Sequence, residues 1–220
     1  MKKLLFGIAI LAIAVMSQAQ RGFGFGGGGG AGMLLQRDDV KKDLVLTDDQ
    51  TEKLAALNDR DAMMANFQAA MKEAGISDFS EMRTPEGQKK MAPVMEKMQA
   101  EMKKKIDAIL TPAQSKRLDE INIQFNGNRS VSQKDVAKAL GITEEQTKAI
   151  ADLNKKQGAA MQGLFQQVQS GELTREDMQD KMKKNNEILD AEIGKLLTEA
   201  QKAKLKEMGG KKFERKDDSG

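Results

Sequence analysis

The sequence carries few of the side chains that perform chemistry in proteins. Its 220 residues include no Cys and no His, so they offer no thiolate nucleophile, no imidazole base and no common set of zinc ligands. Acid pairs such as Asp48-Asp49 and Glu144-Glu145 follow a Thr at a predicted helix start, where the helix dipole favours negative charge. We therefore predict that the protein is not an enzyme and that it has no catalytic residue, no cofactor and no metal site.

Methionine thioethers and lysine ammonium groups are the remaining candidates for function. Four methionines share a narrow arc of one predicted helix with two isoleucines, namely Met91, Met95, Met98, Met102, Ile106 and Ile109. Methionine at helical spacing is most often part of a core, but two other interpretations stay open. Methionine side chains can repack around different unfolded or amphipathic clients, and thioethers can ligate Cu(I).

Three consecutive lysines lie beside this methionine stripe. They fit a solvated helix face, and they also fit a surface that steers acidic clients. If the stripe is a binding surface, the candidate client-binding residues are Met91, Met95, Met98, Met102, Lys103, Lys104 and Lys105.

One five-residue pattern, a Leu or Ile followed by Thr, two variable residues and Gln, organises the rest of the chain. Its four copies are formed by Leu46, Thr47 and Gln50; Leu110, Thr111 and Gln114; Ile142, Thr143 and Gln146; and Leu197, Thr198 and Gln201. The pattern is a capping box, in which the Thr hydroxyl accepts from a backbone N–H one turn into the helix and the Gln side chain accepts from the Thr N–H. We expect the boxes to start four helices, with each leading Leu or Ile packing elsewhere because its usual staple partner is polar.

The chain also contains an internal repeat. Residues 39–60 align with residues 135–156 at a constant offset of 96, and the region around Leu110 aligns with that around Leu197 at an offset of 87. Each half therefore holds two boxes. The predicted helical units are residues 33–127 and 128–208.

The ends of the chain have a different composition from its middle. Residues 1–19 have a basic start, an apolar run and a small-residue site at Ala19, which predicts a cleaved signal peptide; an uncleaved anchor is the alternative. The Gly-rich residues 20–32 predict a flexible tether, and residues 209–220 predict a disordered charged tail. Loss of Lys2 and Lys3 lowers the formal charge from +3 to +1, which argues against a nucleic-acid binder.

Helical periodicity predicts an all-α fold. We expect a short helix over 33–44, one long helix from Asp48 to near Gly75, and an irregular stretch over 76–93. The methionine helix follows, then a short helix from the second box to near Phe125 and a turn at Asn126-Gly127-Asn128. The second unit repeats this plan with a shorter connection at Ser170-Gly171.

A helical chain with a signal peptide and paired Leu-Thr-x-x-Gln boxes resembles the periplasmic LTxxQ family, also called Spy/CpxP-like. The resemblance covers residues 33–208 in layout and depends on the boxes for its specificity. It implies a bent helical hairpin for each unit, so that two tandem units, or a homodimer, would form a cradle-like surface. Ile142 replaces the Leu of the motif, and the absence of His separates this chain from relatives that respond to metals.

The resemblance implies a function in the periplasm without stable insertion into the membrane. The first expectation is an ATP-independent chaperone, or holdase, whose partners are unfolded or partly folded envelope proteins. The alternative is an envelope-stress or metal-response regulator that binds the periplasmic domain of a membrane sensor kinase. A structural envelope protein whose helices pack with a partner is the third hypothesis.

Overall fold

A computed structural model describes residues 30–78 and 80–214 of the chain. The predicted signal peptide, almost all of the predicted tether and residues 215–220 lie outside this part. Within it the prediction of an all-α fold is confirmed, because ten α-helices and two 3-10 helices account for the regular structure and no strand is present.

We number the α-helices in chain order. They are α1 (Ala31–Leu34), α2 (Asp38–Asp43), α3 (Asp48–Leu57), α4 (Arg60–Glu73), α5 (Pro85–Ile109), α6 (Pro112–Asn126), α7 (Lys134–Leu140), α8 (Glu144–Ser170), α9 (Arg175–Leu196) and α10 (Glu199–Met208). The 3-10 helices are Glu81–Arg83, before α5, and Gly127–Ser132, between α6 and α7.

All four predicted boxes form and start helices. The Thr hydroxyl and the Gln side chain of each box make the two reciprocal hydrogen bonds at the starts of α3, α6, α8 and α10. A fifth box, Thr174 with Asp177, starts α9. Each box satisfies two of the backbone groups that a helix end leaves without a partner.

Two apolar clusters form next to the boxes, and the internal repeat is visible in their composition. The first cluster buries Val40, Leu44, Leu54, Ile106, Leu110 and Leu118, and the second buries their repeat equivalents Val136, Leu140, Ile150, Ile193, Leu197 and Leu205. The leading residues of the boxes pack here, as expected: Leu110 and Leu197 are buried, and Leu46 and Ile142 are partly buried. Helix α6 belongs to both clusters, because Ile121 lies in the first and Ile123 in the second.

A third apolar cluster lies farther along the first unit, between α4 and α5. Its buried members are Phe67, Ala70, Met71, Ile76, Met91 and Val94, with Ala74, Met82, Met95 and Met98 packed around them. The 3-10 helix Glu81–Arg83 closes this end. Gly87 is required there, because a Cβ at this position would collide with the carbonyl of Glu81.

Two helix predictions in the first unit were wrong. The expected helix from Asp48 to Gly75 breaks in two, because the Asp59 carboxylate accepts from Ala62 N–H at 2.9 Å and starts α4 anew. Lys155 is the repeat equivalent of Asp59. Its side chain has no acceptor for a backbone N–H, so it cannot cap a helix in this way, and α8 continues through it. The predicted irregular stretch over 76–93 also ends early, since Thr84 caps α5 and the helix runs through the exposed Pro93.

The short helix predicted over 33–44 is divided into α1 and α2. The chain after α10 was expected to be disordered from residue 209, but residues 209–214 pack against α6. Phe213 is 6% exposed in the first cluster, and its backbone N–H donates to Oε1 of Gln124 at 2.8 Å. Burial of this aromatic ring, together with hydrogen bonds from Arg117 and Gln124 to the carbonyl of Lys211, holds a segment whose composition otherwise predicts disorder.

Candidate functional site

The four boxes are brought together in two pairs, and their glutamines bond directly across each pair. Nε2 of Gln50 donates to Oε1 of Gln114 at 2.8 Å, and Nε2 of Gln114 donates to Oε1 of Gln50 at 3.1 Å. Each amide also donates to a backbone carbonyl at the C-terminal end of a helix. Nε2 of Gln50 donates to the carbonyl of Ile109 at 2.9 Å, and Nε2 of Gln114 donates to that of Leu44 at 3.1 Å. The pair therefore joins α2, α3, α5 and α6 at one point.

The second unit repeats this arrangement. Nε2 of Gln146 donates to Oε1 of Gln201 at 2.8 Å, and the return bond is 3.0 Å. Gln146 also donates to the carbonyl of Leu196 at 2.7 Å, while Gln201 lies 3.5 Å from that of Leu140. Both glutamine pairs are partly buried, so their hydrogen bonds are less exposed to competition from water.

This pairing was missed from the sequence, although a signal for it was present. A capping box accepts either Glu or Gln, and the helix dipole favours Glu at that position. All four boxes nevertheless have Gln, which adds an N–H₂ donor that the cap itself does not use. The fifth box has Asp177 instead, and its hydrogen bonds with Thr174 stay within the box. Hydrogen bonds from the hydroxyl and N–H of Thr174 lower the pKa of Asp177.

The turns that precede the first and third boxes show a further difference between the units. Both follow a short helix and place one residue in the left-handed region, Val45 with φ 50° and Gly141 with φ 64°. Val45 and Gly141 are repeat equivalents. Val45 is the only non-glycine residue with positive φ among the described residues, and its side chain is 78% exposed.

The structure places the methionine stripe on the inner side of α5, with graded exposure. Met91 is buried at 4%, so it belongs to the core in this structure. Met95 and Met98 are partly buried against the third cluster, and Met102 against the first. Their assignment as a client-binding surface stays a prediction.

Helix α4 carries a second methionine stripe that the sequence analysis did not select. Met63 and Met64 lie four and three residues before Phe67, which puts them on the same helix face as the buried Phe67 and Met71. They are nevertheless 46% and 37% exposed. The apolar face of α4 is therefore covered beyond Phe67 and open before it.

The three predicted lysines do not share one role. Nζ of Lys103 lies 3.3 Å from Asp107 and 3.6 Å from Asp119, which ties α5 to α6. Burial lowers the pKa of Lys103, but the attraction of Asp119 and Asp107 outweighs it, and the pKa is raised. Burial raises the pKa of Asp119, and the negative charges of Asp107 and Asp135 raise it further, although the positive charge of Lys103 acts in the opposite direction. Lys104 and Lys105 are exposed, so they remain available to a partner.

A polar junction follows α6, where the sequence predicted a turn. Gly127 adopts φ 56°, and the buried Asn126 donates to the Asn122 side chain at 2.8 Å. Nδ2 of Asn128 donates to the carboxylate of Asp190 on α9 at 3.1 Å. A Cβ on Gly194 would lie 2.8 Å from that same nitrogen, which explains a glycine inside a helix.

Within residues 30–78 and 80–214, no group of three or more acidic side chains is arranged to hold a metal ion. In the same part of the chain no helix is long and apolar enough to cross a membrane. No family model matches the chain, and neither a curated protein nor a solved structure matches it.

Proposed function

We propose that this protein is an ATP-independent holdase that binds unfolded or amphipathic proteins, and that it acts in the periplasm as a member of the LTxxQ family. The observation that carries the proposal is the open apolar face between α4 and α5. Met63 and Met64 are exposed on α4, and Met98 and Met102 are only partly buried on α5. Flexible thioether side chains can adapt to clients of different shape.

The ends of this face are closed and its middle is open. Toward the boxes, Leu54 and Ile106 are buried in the first cluster; toward the far end, Phe67 and Met91 are buried in the third. Such a face offers apolar contact to a client without requiring the helices to separate.

The glutamine pair and the apolar cluster that hold α3, α5 and α6 support the same proposal. Gln50 and Gln114 join four helix ends, and the surrounding cluster is made mainly of Leu, Ile and Val. A holdase needs a fixed framework as well as an adaptable surface, because a surface that collapses on itself is lost to the client. The paired boxes supply such a framework in each unit.

Charge defines the client class that we propose. Lys105 is exposed on α5 and lies three residues after Met102, on the side of the methionine stripe, whereas the exposed Lys104 lies on the opposite side of the helix. Lys103 is engaged by Asp107 and Asp119. Unfolded segments that combine apolar and acidic residues would gain both apolar burial and attraction to Lys105. The attraction is between exposed charges, so it should weaken as salt concentration rises.

The experiment that tests the proposal is aggregation of a chemically unfolded client, followed by light scattering without ATP. The protein from Gln20 onward is expected to suppress scattering at a near-stoichiometric ratio. The double substitution Met63→Ser/Met64→Ser should weaken suppression, since it removes apolar contacts without opening a packed core. Ile188→Ser is the matched control, because Ile188 is 61% exposed on α9 and lies outside the proposed face.

Two results would count against the proposal. Unchanged aggregation at several-fold excess, with circular dichroism confirming a folded helical protein, would reject holdase activity. The same result would favour the alternative hypothesis, a regulator that binds a sensor kinase. Titration of one sensor domain, with a saturable complex as the expected result, tests that hypothesis. Equal loss of activity in the Ile188 variant would reject the location of the face.

A further inference from the structure

The methionines of this protein are concentrated in one region. Of the 15 in the chain, eight lie between residues 63 and 102, namely Met63, Met64, Met71, Met82, Met91, Met95, Met98 and Met102. The chain has no Cys, His, Trp or Tyr. Methionine is therefore the one readily oxidised side chain that this sequence offers to a mild oxidant.

The three clusters differ sharply in how much they depend on methionine. In the third cluster Met71 and Met91 are buried, and Met82, Met95 and Met98 pack around them. The first and second clusters are built mainly from Leu, Ile and Val, with a single methionine at the edge of each, Met102 and Met208. Among the three clusters, oxidation would thus act mainly on the third, which lies between α4 and α5.

The partly buried methionines combine access with a structural role. Met82, Met95 and Met98 retain some exposure, so an oxidant in solution can reach them, and each packs against buried apolar side chains. A sulfoxide at these positions places a polar S=O group in an apolar contact, where desolvation disfavours it. The Lys97 to Glu73 ion pair, which joins α5 to α4 at 2.9 Å, is more than half exposed, so it contributes little to holding the two helices together.

We propose that Met82, Met95 and Met98 are oxidation sites whose sulfoxides separate α4 from the first half of α5, while the paired boxes stay closed. The chemistry is a two-electron oxygen transfer from a peroxide. A thioether and hydrogen peroxide give a sulfoxide and water, so that sulfur is oxidised and the O–O bond is cleaved. Methionine sulfoxide reductases reverse the reaction.

The test is hydrogen–deuterium exchange on the full chain before and after graded hydrogen peroxide, with peptide mapping of the sulfoxides. At low dose, the exposed Met63 and Met64 should be oxidised with little change in exchange. At higher dose, sulfoxides at Met82, Met95 and Met98 should speed exchange in α4 and the first half of α5 by about tenfold or more. Exchange in α3 and α6, beside the paired boxes, should not change.

Matched variants separate this effect from general damage. Met82→Leu/Met95→Leu/Met98→Leu keeps side-chain volume and resists oxidation, so peroxide should leave its exchange slow. Met161→Leu/Met178→Leu/Met182→Leu, in the α8 and α9 pair, should open between α4 and α5 as the unmodified protein does. Treatment of the oxidised protein with the reductases should restore protection, which tests the proposal even if the first variant packs poorly.

Three outcomes would overturn the proposal: sulfoxides at Met82, Met95 and Met98 without faster exchange, equal opening in the Met82/Met95/Met98 variant, or exchange that rises equally in α3 and α6. Opening of the helix pair does not require holdase activity, but an effect of oxidation on client capture rests on the proposed function. Aggregation assays on the oxidised protein measure that effect separately, so a failed holdase assay leaves the exchange result interpretable.

Discussion

Val45 holds a backbone conformation that a β-branched residue adopts only at a cost. Its φ is 50°, its side chain is 78% exposed, and its repeat equivalent is Gly141. The left-handed conformation costs a non-glycine residue roughly 1–2 kcal/mol, and glycine removes this strain. Because glycine also has more conformational freedom in the unfolded chain, part of the gain in stability is lost. Val45→Gly is therefore expected to raise the free energy of unfolding by about 0.5–1 kcal/mol, measured by urea denaturation.

The reciprocal substitution is the control for Val45. Gly141→Val should lower the free energy of unfolding, because it introduces the same strain at the equivalent turn of the second unit. Loss of stability in Val45→Gly would show that the exposed Val side chain makes a favourable contact that outweighs its backbone strain.

Three glycines inside helices provide a second test at the level of single residues. A Cβ on Gly158 or Gly163 would meet no neighbouring atom, whereas on Gly194 it would lie 2.8 Å from Nδ2 of Asn128. Gly158→Ala is thus expected to stabilise the protein by about 1 kcal/mol through helix propensity. Gly194→Ala should destabilise it, since Asn128 must leave its bonds to Asp190. Thermal unfolding of both variants checks this, and two shifts of the same sign would contradict it.

At the scale of helices, the boxes were predictable and the breaks between them were less so. A capping box is a local pattern, so Thr47 and Gln50 sufficed to predict the start of α3. The start of α4 depends on a single Asp59 carboxylate, where the repeat has Lys155 in a continuous helix. Pro93 lies inside α5 with its ring exposed, which a rule that ends helices at proline does not anticipate.

The pairing of the boxes could not be predicted from local patterns, because it joins residues more than 50 positions apart. It predicts a specific defect for Gln50→Glu. Glu keeps the acceptor that the cap requires, but it loses the donor to Gln114 and to the carbonyl of Ile109. We expect a loss of about 1–3 kcal/mol in the free energy of unfolding, measured by urea denaturation at neutral pH.

A double-mutant cycle identifies the source of that loss. Gln50→Ala and Gln114→Ala should show a coupling energy of about 1 kcal/mol, because they share reciprocal bonds. Gln50→Ala and Gln146→Ala, which belong to different pairs, should add within roughly 0.5 kcal/mol. Coupling energies near zero in both cycles would mean that the glutamines act as four separate caps.

At the scale of the whole molecule, α6 connects the first apolar cluster to the second. Leu118 and Ile121 face the first cluster and Ile123 faces the second, so one helix contributes to both cores. The repeat in the sequence predicted two helical units with the same plan, and the buried residues named above for the first and second clusters occupy equivalent positions in it. It did not predict that a helix of one repeat would be shared, because sharing depends on which faces of α6 are covered after folding.

The segment after α10 fastens the end of the chain to this shared helix. Arg117 on α6 donates to Asp43 on α2 at 2.6 Å and to the carbonyl of Lys211 at 2.6 Å. Phe213 then enters the first cluster, with its ring centroid 5.7 Å from that of Phe125. The segment that follows the second repeat therefore packs into the core of the first.

This packing of Phe213 into the first cluster predicts a long-range effect of a substitution near the end of the chain. Phe213→Ala should cost about 3 kcal/mol, as for other buried aromatic side chains, and the lost protection should appear in α1 and α2 by hydrogen exchange. Lys212→Ala, at an exposed neighbouring position, should change neither quantity. If exchange rises only in residues 209–214, the segment is held by the first cluster without supporting it, and the two cores are stabilised independently.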